Sequence, residues 1–292
     1  MRDVKLSVII PCYNAEQTIG VQLESLARQG WSESWEVIVA DNGSTDRSVV
    51  VTDKYKDHVS NLRIVDASDK RGRSHARNVG ARHAMGDALA FCDADDEVAE
   101  GWVAAIGEAV ISRNFVASRF DFDKFNSSSV AKIYEWHEQK RGLQKLGFPP
   151  FPLHAGGCGL GVKKSLHESI GGFDETLPRS QDTDYCIRIQ LAGQELYFAN
   201  EAVVHVRVQE QYARLFEQAS KWAEYNVLMY KKYGCQQRYE LWRWRVYANE
   251  CRALLKSLRN IRTKEERALL FWKLAWQIGR LKGSIKYGVA PV

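Results

Sequence analysis

Three carboxylates stand together at Asp93, Asp95 and Asp96, directly behind the apolar run Ala88 to Cys92. Carboxylates crowded at the end of a buried strand repel one another and raise their own pKa values unless something positive joins them. A divalent cation removes that penalty. Oxygen donors of this kind suit Mg²⁺ or Mn²⁺, which keep coordination positions open for substrate phosphates. Asp is also favoured just before a helix, so a capping role stays open for Asp96. His205 follows the apolar pair Val203-Val204, where a lone histidine is ordinarily structural. The six cysteines, at 12, 92, 158, 186, 235 and 251, show neither a C-x-x-C pair nor zinc spacing and read as reduced, buried thiols.

The elements that must position these groups alternate. Leu6 to Ile10 predicts a strand closed by Pro11, then a helix capped by Asn14, with Gln17 completing a capping box and Gly30 at its stop. Glu36 to Ala40, Leu62 to Val65 and Ala88 to Cys92 predict three more strands, with helices over Ser48 to Asp57 and Ser74 to Met85. This βαβ rhythm argues for a largely parallel sheet with its ligand crevice beyond the strand C-termini. A further helix is predicted from Glu97 to Arg113. Residues 114–155 suit loops over a site, with Gly147-Phe148-Pro149-Pro150 as a turn and Trp136, His154 and Lys163 as specificity candidates without assigned roles. Gly156, Gly157, Gly159 and Gly161 form either a close approach of backbone to ligand or only a tight turn. Beyond Val208 the pattern is helical: Leu241, Trp244, Ala248, Cys251, Leu255 and Leu258 stripe a helix from about Tyr239 to Arg259, most of the stripe reading as core.

Charge is divided unevenly along the 292 residues. Residues 207–292 carry 18 Lys+Arg against 7 Asp+Glu, a net of +11, which leaves −6 on the remainder. A basic tail on an acidic body favours phosphates or an anionic surface. Arg245, Arg252, Lys256 and Arg259 flank the apolar stripe, a pattern that suits an anionic membrane face; a self-association surface giving a homodimer is the competing account. With no nucleic-acid motif, and with the basic charge confined to the tail, nucleic-acid binding is excluded. No uncharged run approaches the ~20 residues of a membrane span, so a cytoplasmic protein, peripheral on the inner membrane face if the tail attaches there, is the expectation.

Taken in order, Ser7-Val8-Ile9-Ile10-Pro11-Cys12-Tyr13-Asn14, Glu36-Val37-Ile38-Val39-Ala40-Asp41-Asn42-Gly43-Ser44-Thr45-Asp46, Ala76-Arg77-Asn78-Val79-Gly80 and Asp93-Ala94-Asp95-Asp96 resemble glycosyltransferase family 2. Gly171-Gly172-Phe173-Asp174-Glu175 and Gln181-Asp182-Thr183-Asp184 look like that family's second half, and the resemblance covers roughly residues 5–208. It implies an α/β protein of the A-type glycosyltransferase fold, a three-layer α/β/α sandwich with a mostly parallel central sheet, plus a C-terminal helical extension. The implied domains are a catalytic 1–208, divided into a nucleotide-sugar-binding half 1–96 and an acceptor-binding half 97–208, and a basic, aromatic-rich extension 209–292.

The same resemblance implies a metal-dependent inverting transferase that takes a sugar from a nucleoside-diphosphate sugar, a UDP-sugar first. Its acceptor would be a glycan, a lipid-linked sugar or a small molecule, in bacterial polysaccharide or glycoconjugate synthesis. Pro11, Tyr13 and Asp41 would border the base, with Asn14 and Asn42 in the same loops; Arg77 would lie near the diphosphate or ribose, and Asp93 would face the nucleotide. Asp95 would bind Mn²⁺ or Mg²⁺, with His205 as a further ligand. Asp182 would be the general base, although it also suits a helix cap, and Gln181 stands where the family usually has Glu. The alternative is a non-catalytic sugar-nucleotide- or glycan-binding module on the same fold. A nucleotidyltransferase needs a Gly-rich phosphate loop after the first strand, and Pro11-Cys12-Tyr13-Asn14 offers none.

Overall fold

A computed structural model describes residues 4–59, 61–135, 137–146, 151–208, 210–234, 240–257 and 262–291. Trp136, Gly147-Phe148-Pro149-Pro150, Cys235, Tyr239, Leu258 and Arg259 lie outside the described residues. The chain divides into two compact units, one of Met1–Asp121, Glu138–Gln144 and Leu153–Arg207, the other of Phe122–His137, Lys145–Pro152 and Val208–Val292.

The first unit is built on a mixed sheet of β1 Leu6–Cys12, β2 Trp35–Asp41, β3 Leu62–Asp66, β4 Ala88–Phe91, β5 Glu97–Val98, β6 Phe115–Asp121, β7 Leu160–Lys163 and β8 Tyr197–His205, ordered β3-β2-β1-β4-β7-β6-β8-β5. The pairings β1 with β2, β1 with β4, β2 with β3 and β6 with β8 are parallel; the two flanking β7 and the one joining β5 to β8 are antiparallel. All seven residues of β1 and all four of β4 are buried, as expected of strands covered on both faces. Helices α1 Ile19–Ala27, α2 Ser48–Asp53, α3 Arg73–His83 and α4 Trp102–Arg113 supply the covering layers. Ile9, Ile38, Phe91, Leu160, Phe173 and Tyr185 meet in one core, where the Phe173 and Tyr185 rings stack at 4.1 Å. Each such side chain contributes about 1.5–3 kcal/mol by burial.

Several local expectations change. Pro11 does not close β1; the strand runs on to Cys12 in register with β2. Pairing with β4 has already ended at Ile9 and Phe91, so Pro11 lies past the two-sided part of the ladder. Asn14 caps no helix: α1 opens at Ile19 after Thr18, and Asn14 adopts a left-handed φ of 50°, which Asn tolerates better than most residues. Its Oδ1 accepts from the Thr45 N–H at 2.8 Å, tying the loop after β1 to the loop after β2. Glu97 and Val98 form a strand rather than the start of a helix, because they pair with His205 and Val204; α4 begins only at Trp102. The glycine cluster resolves into a loop and then β7, with Gly161 inside the strand.

The rest of this unit comprises α6 Lys164–Ser169 and α7 Gln181–Leu191, numbered after the short α5 Ser128–Ile133 of the second unit. That second unit is helical, with α8 Tyr212–Tyr233, α9 Glu240–Ser257 and α10 Lys264–Tyr287. A capping box opens α10, Thr263 accepting from the Glu266 N–H and Glu266 from the Thr263 N–H. Gly279 lets α10 approach α8: a Cβ there would fall 2.0 Å from the Ser220 carbonyl oxygen. The apolar stripe of α9 is not core as expected. Leu241 is 83% and Leu255 64% exposed, on a helix that also exposes Arg245, Arg252 and Lys256. Its attachment is polar at Tyr247, whose hydroxyl donates to the Gln277 carbonyl at 3.0 Å, and at Glu250, which pairs with Arg280. No helix among the described residues is long and apolar enough to cross a membrane.

Candidate active site

The C-terminal ends of β1, β2 and β4 and the N-terminal ends of α3 and α7 carry the residues with chemistry. After β1, Tyr13 is half exposed and the Arg71 guanidinium lies 4.2 Å from its ring centre. At the end of β2, both Asp41 carboxylate oxygens accept from the Ser44 N–H, at 3.3 and 3.2 Å. Asn42 is buried and works as a brace: its amide donates to the Ala67 and Lys70 carbonyls at 2.5 and 2.8 Å and accepts from the Gly72 N–H at 2.8 Å. That brace fixes the approach to α3 and with it Arg71 and Arg73.

The turn after β4 holds the acidic cluster. Asp93 is nearly buried and paired twice, with Arg77 Nη2 at 2.7 Å and Arg73 Nη1 at 3.3 Å. Burial works against its charge, but Arg73 and Arg77 prevail and hold it below the ordinary carboxylate value. Among the described residues, neither Asp95 nor Asp96 forms an ion pair with an arginine side chain. Burial first, and the neighbouring acids second, push Asp95 up and Asp96 well up. The Cys158 thiol is driven up by the same burial and by Asp96 and Asp93. Among the described residues, Asp93, Asp96 and Cys158 are the side chains whose candidate ligand atoms all lie within 4.8 Å of one another. Asp95 and His205, expected as ligands, stand outside that trio. Asp95 is half-buried at the turn's rim, and His205 Nδ1 is turned to Asp121 Oδ2 at 2.5 Å. β8 nonetheless runs beside the turn, because Arg207 donates its backbone N–H to Asp96 at 2.8 Å and its Nε–H to the Asp95 carbonyl at 3.1 Å. The crowding of Asp95 and Asp96 beside Asp93, which raises the first two, fits a hard divalent cation.

Asp182 sits in the first turn of α7, after Ser180 at a left-handed φ of 54°, and so is not the helix cap. Its Oδ2 accepts from the Gly157 N–H at 3.1 Å and its Oδ1 from the Thr183 N–H at 2.9 Å. Gly157 is required by packing, since a Cβ there would lie 2.6 Å from Arg77 Nη1. His154 is buried beside Asp182; burial lowers its pKa to about 4 against the pull of that carboxylate, so the ring is neutral. Asp184 is fully buried on Arg188, whose Nε–H it accepts at 2.7 Å. Lys163 belongs elsewhere: β7 runs antiparallel to β4, which brings Leu160 level with Phe91 and carries Lys163 to Ala88 at the far end of the strand.

Arg77, expected near the diphosphate, is 1% exposed and braced over the Phe173 ring, and its Nε and Nη1 have no hydrogen-bond partner among the described residues. Sequence reasoning missed Arg73 and Cys158. Arg73 precedes Arg77 by four residues, the spacing that puts both on one helix face, and that was the available signal. A third feature it missed is the clasp around Glu175, which accepts from Lys70 at 2.7 Å and from Asn78 at 2.9 Å and lies 3.1 Å from His75 Nδ1.

The family model described as Glycosyl transferase family 2 matches residues 7–170. The chain is 28% identical over 205 residues to the glycosyltransferase AglE of Haloferax volcanii, covering 68% of this chain and 65% of AglE. It is 36% identical over 97 residues to the poly(ribitol-phosphate) β-N-acetylglucosaminyltransferase TarS of Staphylococcus aureus, 32% of this chain and 17% of TarS. The chain thus spans under two thirds of the length of both curated relatives. Residues 1–349 of TarS, solved with UDP-GlcNAc, superpose with a TM-score of 0.55 at 17% identity, covering 98% of this chain and 93% of that one. The mannosyltransferase PcManGT of Pyrobaculum calidifontis, solved with GDP-Man and Mn²⁺, superposes with a TM-score of 0.66 at 17% identity, covering 97% and 90%. These likenesses show an A-type glycosyltransferase fold.

Proposed function

The chain belongs to glycosyl transferase family 2, and from that premise we propose that it is an inverting transferase moving a sugar from a nucleoside-diphosphate sugar to an acceptor hydroxyl. One observation carries the reading: Arg77 pairs at 2.7 Å with Asp93, from the turn after β4, and packs against Gly157, whose N–H donates at 3.1 Å to Asp182, from the first turn of α7, so the acidic turn and Asp182 border one space. A donor-side cluster and a candidate base facing the same space are what a single displacement needs.

In that displacement the acceptor oxygen bonds to the anomeric carbon as the bond from that carbon to the diphosphate oxygen breaks. Asp182 takes the acceptor's proton, its carboxylate aimed by the Gly157 N–H, and the nucleoside diphosphate leaves. Pro11, Tyr13 and Asp41 border the base, with Asp41 accepting from a ring N–H of uracil, and Asn14 and Asn42 hold the loops in which they lie. Asp95, with its neighbouring carboxylates and with His205 through Nε2, would hold Mn²⁺ or Mg²⁺, which offsets charge on the departing diphosphate. The contact of His205 Nδ1 with Asp121 supports that role, since metal-bound imidazoles ordinarily give their other nitrogen to a carboxylate or carbonyl. UDP is the first candidate nucleotide; TarS was solved with UDP-GlcNAc and PcManGT with GDP-Man, so both bases belong in the test. We propose an acceptor in polysaccharide or glycoconjugate synthesis; the name of TarS states poly(ribitol-phosphate) for that enzyme.

A panel of UDP- and GDP-sugars with Mn²⁺ tests the reading. One donor is expected to raise the melting temperature and release nucleoside diphosphate; a panel in which none does either defeats it. The exposed leucines and basic residues of α9 favour attachment to an anionic membrane over a packing role. Each basic residue near such a surface contributes about 1 kcal/mol. Co-sedimentation with anionic liposomes is expected to weaken with salt and to fall when Arg245, Arg252 and Lys256 are changed to Gln. Equal partitioning of both proteins at low salt would leave α9 as a homodimer contact.

A further inference from the structure

Resting on the nucleoside-diphosphate reading, we propose that Arg73 is a tethered counter-ion of the acidic turn, which yields Asp93 to the divalent cation and swings to the diphosphate when the donor enters. Asp93 is held by two arginines of unequal freedom. Arg77 is locked, 1% exposed, packed under Gly157 and bonded at 2.7 Å. Arg73, one helical turn earlier in α3, is 52% exposed and its ion pair is longer, 3.3 Å. Of the two guanidinium groups on Asp93, that of Arg73 is the one an entering ligand can reach.

A cation in that position competes with a metal for the same oxygens. A divalent ion held by Asp93 would repel Arg73 and take its partner. A diphosphate beside the metal then offers the stronger site, because a planar guanidinium takes two phosphate oxygens at once. The positive N-terminal end of α3, where Arg73 is the first helical residue, favours an anion on the same side. Arg71, whose guanidinium lies over the Tyr13 ring, stands two residues away in the loop before α3.

Titration calorimetry of wild type, Arg73→Gln and Arg73→Lys tests the assignment, first with Mn²⁺ alone and then with UDP and with GDP at saturating Mn²⁺. Removing one partly screened positive charge is expected to tighten Mn²⁺ binding to Arg73→Gln about five-fold. Losing a charge-assisted phosphate contact is expected to weaken nucleotide binding about ten-fold. Arg73→Lys keeps the charge but not the fork, and is expected to bind Mn²⁺ as wild type does and nucleotide about three-fold more weakly. A residue that merely supports the fold would weaken both ligands together, so opposite signs in one folded variant support the proposal. Unchanged or weaker Mn²⁺ binding in Arg73→Gln, or unchanged nucleotide binding, overturns it while a nucleotide that binds wild type leaves the donor reading standing. If wild type binds neither UDP nor GDP with Mn²⁺, the donor reading falls and this inference with it.

Discussion

Replacing Asp182 by Asn is expected to lower transfer about 10²- to 10⁴-fold while leaving donor affinity within about two-fold of wild type, the usual signature of a lost general base. Asn has the same shape and still offers an oxygen to the Gly157 N–H, which now meets Asp182 at 3.1 Å, so the turn has no reason to move. What disappears is the basicity. Neither Asp184 nor His154 replaces it: Asp184 is fully buried and committed to Arg188, and burial lowers His154 to about 4, too weak a base at neutral pH. Initial rates for transfer, set beside calorimetric nucleotide affinity, separate chemistry from binding. Turnover near the wild-type rate would reduce Asp182 to a helix-terminus anchor.

The order of the donor half was legible because its signals are local. Leu6 to Ile10, Glu36 to Ala40 and Ala88 to Cys92 are apolar runs that appear as β1, β2 and β4, and the acids at 93, 95 and 96 follow β4 directly. What failed depended on contacts distant in sequence. Glu97 and Val98 look helical until His205 and Val204 arrive to pair with them. Asn14 has a capping residue's chemistry, yet Ser44 and Thr45 claim its backbone and side chain. β6 and β7 were left unread, β7 because glycines at 159 and 161 hide a strand whose register is set by β4 and β6. The stripe on α9 was legible as a period but not as a location, since periodicity says which face is apolar and not what covers it. At the site itself, the residue types were readable and their partners were not. Nothing in Ala76-Arg77-Asn78 says that Arg77 is sealed beneath Asp93, or that Arg73 holds the exposed side of the same carboxylate.

Asp95→Asn is expected to abolish transfer and to weaken Mn²⁺-dependent nucleotide binding by about 100-fold or more, since even outer-shell partners of a metal typically cost 10- to 100-fold. The fold has little at stake in this carboxylate. Arg207 holds the turn through the Asp95 carbonyl and the Asp96 side chain, both of which the substitution leaves in place. Removing one charge also relieves part of the repulsion that drives Asp96 up, so the variant is expected to melt no lower than wild type. Binding should therefore fall while stability holds, which a general loss of structure cannot produce.

The central claim is that the turn after β4 holds a cation that carries a nucleoside diphosphate. Its most direct test is calorimetric titration of UDP and of GDP into the wild-type protein with Mn²⁺, into the same protein with EDTA, and into folded Asp95→Asn with Mn²⁺. The account predicts that one nucleotide binds the first sample and that binding is lost both on chelation and in the variant. Affinity that survives EDTA, or that Asp95→Asn leaves unchanged, would contradict it.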